Sequence, residues 1–429
     1  MIALVLLASL LAQAQAPRLL TLEEALRVAR EHQPQLRQAH AGTEAARARA
    51  DEARAPLLPQ VNANVGYQRS TANAITRPGF AIGAGAPTHG AFDTFSFYSG
   101  SLTLNQLIWD FGLSLDRFRA ARALADAQGE TERAAALQAA VVVRAAYFDA
   151  RAGKALAAVA RETLQNLGRH LEQIQGFVEA GTRPQIDLAQ ARTDIANGRL
   201  QLITAENSFE TARAQLNQAM GVFQSTDYDV ADEAVPAVPG EDGAVEALLE
   251  TALAARPEVQ ALQDQVRAQE LTRRSVEGSY WPALGATAGT TQGGTALGNL
   301  GWNVAVGVSL NWNLFQGGLT RAQVHEAEAN EGALLAQLDG LKLQVGFDVQ
   351  QARLQVRAAK SSSAAVNDAQ LNARERLRLA EGRYETGAGS SIELADAQIA
   401  LSNAQAQAVQ AEYRLATARA QLLRALGRP

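Results

Sequence analysis

Residues 102–221 of the chain lie over residues 308–427 at a constant offset of 206, without a gap. Leu104 falls on Leu310, Asn105 on Asn311, Gly112 on Gly318, Gly181 on Gly387, Asp187 on Glu393, Leu188 on Leu394 and Gly221 on Gly427. A second stretch repeats at an offset of 223, with Pro34 on Pro257 and Pro59 on Pro282, so the first copy carries 17 extra residues within 69–101. Copies this long exclude a short-period solenoid and predict a pseudo-symmetric fold in which each structural device occurs twice.

Proline placement outlines the elements. None occurs between Pro87 and Pro184 or between Pro282 and Pro429. These windows are Ala-rich, with apolar residues three or four apart, such as Leu137, Val141, Ala145 and Phe148. Hydrophobic residues make up 47% of the chain but aromatics only 5%, so close helix–helix approach through Ala is favoured over a bulky core. The spacing predicts one long helix over 112–178 and another over 318–384, each roughly 95 Å long at 1.5 Å per residue. Helices of that length read as rods in a coiled-coil-like assembly. Each rod ends at a Gly-containing turn, 179–184 or 385–390, and a return helix follows over 185–220 or 391–427. Shorter helices are expected within 21–57 and 244–279, the first opened by the capping box Thr21-Leu-Glu-Glu24.

The first copy is read as 15–221 and the second as 244–429. Between them, 222–243 holds six acids, two prolines and no Lys or Arg, and reads as a solvated connector with a short strand. Lysine is nearly absent beside abundant Arg, which we read as coding bias.

Strands fill the rest, at about 61–69, 98–108, 283–292 and 302–312. The stretch Trp302–Trp312 alternates strictly, with Trp302, Val304, Val306, Val308, Leu310 and Trp312 on one face and Asn303, Gly307, Ser309 and Asn311 on the other. Ten residues of strand rise about 33 Å, which at a tilt of roughly 40° covers about 25 Å along a bilayer normal. That is the apolar band of an outer-membrane barrel, with Trp109, Trp281, Trp302 and Trp312 as the aromatic girdle. Residues 1–14 read as a signal peptide, an apolar run ending in Ala12-Gln13-Ala14. No segment approaches 18 consecutive apolar residues, so any membrane span is not a helix.

Four strands cannot close a membrane barrel, and an open edge in lipid leaves backbone groups unpaired at several kcal/mol each. Three chains supply twelve strands, a lumen and partner helices for the rods. The expected fold is thus an α+β membrane protein: a trimeric twelve-stranded barrel, four strands per chain, continuous with a long α-helical tunnel.

The chain closely resembles the TolC family of outer-membrane efflux channels over essentially its whole mature length. The resemblance is carried by Thr21–Leu26 with Pro34 and Pro59, by the junctions Leu107–Gly112 and Asn313–Gly318, and by the tips around Gly181 and Gly387. It implies a homotrimer in the outer membrane with its tunnel in the periplasm. Such a channel is the exit duct of a tripartite system, conducting small molecules from an inner-membrane pump (RND, MFS or ABC type) and a periplasmic adaptor. It further implies an acidic periplasmic gate at Glu393 and Asp396, and a gate lock involving Asp187 and Tyr384. Arg183 is a candidate to replace an Arg that the family's best-described lock has where this chain has Gly389. Adaptor contacts fall on the tips, Gly181, Thr182, Arg183 and Pro184 in one and Gly387, Ala388, Gly389, Ser390 and Ser391 in the other.

Two other functions stay open: the outer-membrane component of a type I secretion system, and a secreted coiled-coil adhesin or scaffold. An enzyme is not expected. The five histidines are scattered, no metal-ligand pair stands at helical spacing, and there is no P-loop or Gly-x-Ser-x-Gly motif. No cofactor and no metal are expected. The net charge of −5 and the lack of a basic cluster argue against a nucleic-acid partner, and the absence of cysteine removes thiolate sites.

Overall fold

The computed structural model describes residues 18–71, 94–223, 228–233 and 236–428. The expected signal peptide, the first-copy loop with Arg77, Pro78 and His89, and Asp227 of the connector lie outside the described residues.

The first repeat runs β1 (Arg18–Leu20), α1 (Leu22–His32), α2 (Pro34–Arg54), a 3-10 turn (Ala55–Leu57), β2 (Gln60–Thr71), β3 (Thr94–Trp109), α3 (Leu113–Glu179) and α4 (Gln185–Met220). After β4 (Tyr228–Val230), the second repeat runs α5 (Val245–Ala255), α6 (Pro257–Gly278), β5 (Ala283–Ala296), β6 (Asn299–Asn311), α7 (Leu319–Glu385) and α8 (Ser391–Ala425). The long helices α3 and α7 are each 67 residues. No helix among the described residues is long and apolar enough to cross a membrane.

The chain divides into two compact units. One holds residues 41–130 and 260–339; the other holds the described residues up to His40, with 131–259 and those from 340 onward.

In the first unit a four-stranded antiparallel sheet has the order β2-β3-β5-β6. The β2–β3 hairpin of one repeat thus joins the β5–β6 hairpin of the other along β3 and β5. The second hairpin is longer and tighter than the expected 283–292 and 302–312, because pairing continues to Ala296 and Asn299. Register fixes two faces. Val61, Ala63, Val65, Leu102, Leu104, Ala286, Ala288, Val304, Val306 and Val308 share one of them. Their large side chains are exposed, Val306 at 80% and Trp302 at 75%. The opposite face presents Asn62, Asn64, Ser101, Thr103, Asn105, Thr287, Thr291, Asn303 and Ser309.

In the second unit β1 and β4 form a two-stranded parallel sheet. Tyr147 of α3 donates its hydroxyl to the carbonyls of Leu20 and Ala231, and its ring sits in a core with Val143, Phe148, Leu216 and Met220. The connector is solvated only in part: Asp232 and Asp242 are exposed, but Tyr228, Val230, Val238 and Glu241 are buried. Glu241 is only 4% exposed and is held by Arg419 of α8 and Lys360 of α7. Lys154 of α3 pairs with Asp229, and Arg151 with Asp232. Four of the six acids that suggested a free polar linker, Asp229, Asp232, Glu241 and Asp242, are thus matched by cations from the helices, and no group of acids able to hold a metal occurs among the described residues.

Candidate functional site

The two helix tips are built from equivalent turns with different chemistry. At the first, Gly181 adopts φ 74°, which lets its N–H reach the Val178 carbonyl (3.0 Å) and the Thr182 N–H reach Phe177 (2.9 Å). This is a Schellman closure of α3. At the second, Gly387 adopts φ 76° and the Gly389 N–H bonds to Arg383 O at 2.8 Å. Ser390 then caps α8, its hydroxyl accepting from the Glu393 N–H at 3.1 Å. Pro184 stands at the matching cap of α4 and offers no side-chain acceptor.

Tyr384 is the centre of the tip. Its side chain is 2% exposed, packed with Ile174, Leu188, Ala191, Leu394 and Ala397. The Arg183 guanidinium lies over its ring at 4.6 Å, and His170 meets it edge-on at 5.5 Å. Burial raises the Tyr384 hydroxyl above its ordinary value, with Arg183 opposing. Burial likewise lowers the His170 imidazole, with Asp194 opposing. The Tyr384 hydroxyl is buried and has no hydrogen-bond partner among the described residues.

The lock residues therefore separate. Asp187 accepts from the Ser391 hydroxyl at 3.2 Å rather than from Tyr384, while Arg183 joins Tyr384 through its ring. At Gly389, where the resemblance implies an arginine in the lock, a Cβ would stand 3.1 Å from the backbone of Arg383 and Tyr384, a tight fit that needs this turn to give by a few tenths of an ångström. Thr182 donates its hydroxyl to Phe177 O, and Arg183 reaches across to α7 by lying over the Tyr384 ring, as Ser391 reaches across to Asp187 of α4.

Glu393 and Asp396, three residues apart, lie on one flank of α8 beside exposed Ile392 and Ile399. Asp396 is exposed, whereas Glu393 pairs with Arg383 at 3.1 Å. Arg383 was not singled out by the sequence, and neither was His170. Arg383 falls on Phe177 in the first copy, so the repeat offers no echo of it.

The four tryptophans divide unequally. Trp109, Trp281 and Trp312 sit at the end of the sheet where the chain passes into helices, and Trp302 sits toward the other end, paired with Gln292. A bulge between Leu107 and Trp109 brings Trp109 into register with Leu284 on the apolar face. Phe111 stacks on Trp281 at 5.4 Å and meets Trp109 edge-on at 6.0 Å. Its φ of 52° is the left-handed conformation that Gly317 (φ 62°) adopts at the equivalent place in the second copy. Trp312 donates its indole N–H to Tyr280 O.

Comparison with known proteins agrees with this architecture. The profile of the family described as outer membrane efflux protein matches residues 25–222 and 248–428. Outer membrane efflux protein BepC of Brucella suis biovar 1 (strain 1330) is 28% identical over 337 residues, covering 76% of this chain and 71% of that protein. Outer membrane protein TolC of Escherichia coli (strain K12) is 25% identical over 409 residues, covering 90% and 78%. The crystal structure of CusC superposes with a TM-score of 0.81 at 18% identity, covering 95% of this chain and 92% of that one. The fold is shared with such channels, and the profile follows the chain in two blocks that respect its duplication. The chain belongs to the outer membrane efflux protein family, as a TolC-family protein of the outer membrane.

Proposed function

We propose that three copies of this chain close their sheets into one twelve-stranded barrel and form the exit duct of a tripartite efflux system. The observation that carries the reading is the two-faced sheet, apolar on one side and amide- and hydroxyl-lined on the other, with β2 and β6 as outer edges. In lipid those edges need partners, because each unpaired backbone group costs several kcal/mol. A symmetric ring of copies supplies them, turning the apolar face to lipid and the polar face to a lumen.

The duct performs no catalysis. It conducts small molecules delivered by an inner-membrane pump through a periplasmic adaptor, and the adaptor meets the tips Gly181–Pro184 and Gly387–Ser391. The gate is the flank of α8 with Glu393 and Asp396. Three copies bring six carboxylates around one axis, which repel anions and favour cations. The Glu393–Arg383 pair tempers this ring, and the Arg183–Tyr384–His170 cluster holds each tip together.

Single-channel conductance of the purified protein in a planar bilayer tests this, wild type against Glu393→Ala/Asp396→Ala. A small cation-selective conductance that the double substitution enlarges or makes less selective is expected. An unchanged conductance removes the gate assignment, and silence from folded, inserted protein removes the duct.

A further inference from the structure

The polar face of the sheet has a composition of its own. Arg69 is the one charged side chain among the described residues of β2, β3, β5 and β6. Register places Arg69 on the same side as Val65 and Tyr67, and it donates to Thr94 Oγ1 at 3.1 Å. The opposite face therefore carries no charged side chain: its middle rows are carboxamides, hydroxyls, glycines and Ala305, with Leu107 toward the helix end and Phe97 toward the hairpin end. One row crosses all four strands without interruption: Asn64 pairs with Ser101, Ser101 with Thr291 and Thr291 with Asn303. The next row toward the hairpin ends, Gly66, Ser99, Gly293 and Gly301, is smaller at three of the four strands, and the row on the other side, Asn62, Thr103, Gly289 and Ala305, is smaller at β5 and β6. The Asn64–Asn303 row is thus the bulkiest polar rung between its neighbours, and every member can both donate and accept.

We infer that the strand wall of the duct is an electrically neutral, hydrogen-bonding sleeve that passes polar solutes of either charge. Any preference for cations then arises elsewhere along the path. A ring of charged side chains selects by field, which low-dielectric walls focus. A ring of amides and hydroxyls offers each passing ion or zwitterion a partner of either polarity and sets no sign. The inference rests on the duct reading, and it places the substrate class at polar solutes irrespective of charge.

The chain has no cysteine, so a single introduced thiol is a unique probe. Asn303→Cys and Ser101→Cys place it on the row, and Val304→Cys places it on the apolar face. Each folded variant, inserted in liposomes, is reacted with a cationic and with an anionic methanethiosulfonate reagent, and the rate ratio is divided by that of a free thiol. A normalised ratio near one at both row positions, with little reaction by Val304→Cys, is the expected result. A preference of about tenfold for either reagent, the size that charge-lined clefts produce, overturns the neutral sleeve while leaving the duct standing. Reaction by Val304→Cys but not by the row variants overturns the assignment of faces. No reaction by any of the three overturns the duct reading itself.

Discussion

Lys154 and Lys360 occupy equivalent positions in the two repeats and hold opposite ends of the connector between them. The Lys154 ammonium lies 2.6 Å from Asp229 and also donates to Val230 O, at the start of the connector. The Lys360 ammonium lies 2.7 Å from Glu241 and 2.8 Å from Asp242, at its end. They are two of only three lysines in the chain. Arg419 completes the second clasp, 2.9 Å from Glu241.

That clasp makes stability depend on acid. Burial opposes ionisation of Glu241, but hydrogen bonds from Arg419, Lys360 and the Val238 N–H outweigh it and hold the carboxyl at about 2, against an ordinary 4.5. A carboxyl lowered on folding stabilises the protein above its unfolded value and loses that contribution as pH falls through the folded one. Thermal midpoints should therefore drop between pH 4.5 and about 2, and Glu241→Gln should flatten that drop. Arg419→Ala leaves a buried carboxylate with half its partners and is expected to cost about 3–5 kcal/mol at neutral pH. A Glu241→Gln profile identical to wild type would remove the clasp from the account.

At the tip, the Tyr384 ring and its hydroxyl should behave differently. Tyr384→Phe removes a buried hydroxyl that has no partner among the described residues, so stability should stay within about 1 kcal/mol of wild type. Tyr384→Ala empties the centre of the cluster and should cost about 3–5 kcal/mol. Thermal unfolding monitored by circular dichroism separates the two. A large loss with Tyr384→Phe would show that the buried hydroxyl is hydrogen-bonded after all, to a trapped water or a shifted neighbour.

Arg383 sets how much charge Glu393 presents. The pair is largely exposed, so its worth to stability is small. On the proposed gate, its effect on permeation is a matter of net charge instead. Arg383→Ala should raise the cation-over-anion permeability ratio, read from the reversal potential in a salt gradient, with the thermal midpoint unmoved. A fall in that ratio would place the Arg383 guanidinium away from the conducting path.

Phe111 balances strain against stacking. Left-handed backbone costs a residue with a Cβ roughly 1–2 kcal/mol, and an aromatic pair is worth about 0.5–1.5 kcal/mol beyond burial. Phe111→Gly should consequently be close to neutral in thermal stability, whereas Phe111→Val keeps the strain, loses the rings and should destabilise. Equal losses in the two variants would show that the backbone term is negligible.

Much of the fold was legible in the residues themselves. Proline-free, Ala-rich windows marked the rods expected over 112–178 and 318–384, where the structure has helices Leu113–Glu179 and Leu319–Glu385. Alternation from Trp302 to Leu310 marked both faces of the last strand, because a period of two survives wherever one face is apolar. The β1–β4 pair was not legible: three residues in each strand carry no period, and their partners are brought together only by tertiary packing around Tyr147. The clasps had a signal that was read as coding bias. Lys154 and Lys360 differ by the repeat offset of 206, and in a chain so poor in lysine that coincidence pointed to a shared task. At the tips, positions were readable from the glycines and Pro184. Pairings were not, since Asp187 meets Ser391 and Glu393 meets Arg383 through rotamer choices that no spacing encodes.

The pairing of β3 with β5 has a consequence for the order of events when the chain folds. Each hairpin is local and can form as soon as its own strands exist, but the seam between them joins residues nearly two hundred positions apart, Tyr98 with Gly294 at one end. Contacts of such high sequence separation form late, because loop closure must be met before they reward it. The first hairpin must therefore wait, with a naked edge and an apolar face, through the making of two long helices and the connector. A half-finished sheet of this kind is the state most open to wrong partners. The duplication that gave the chain its symmetry thus leaves its strands as the last part to be secured, and whatever shields the unfinished hairpin in transit acts on the first repeat.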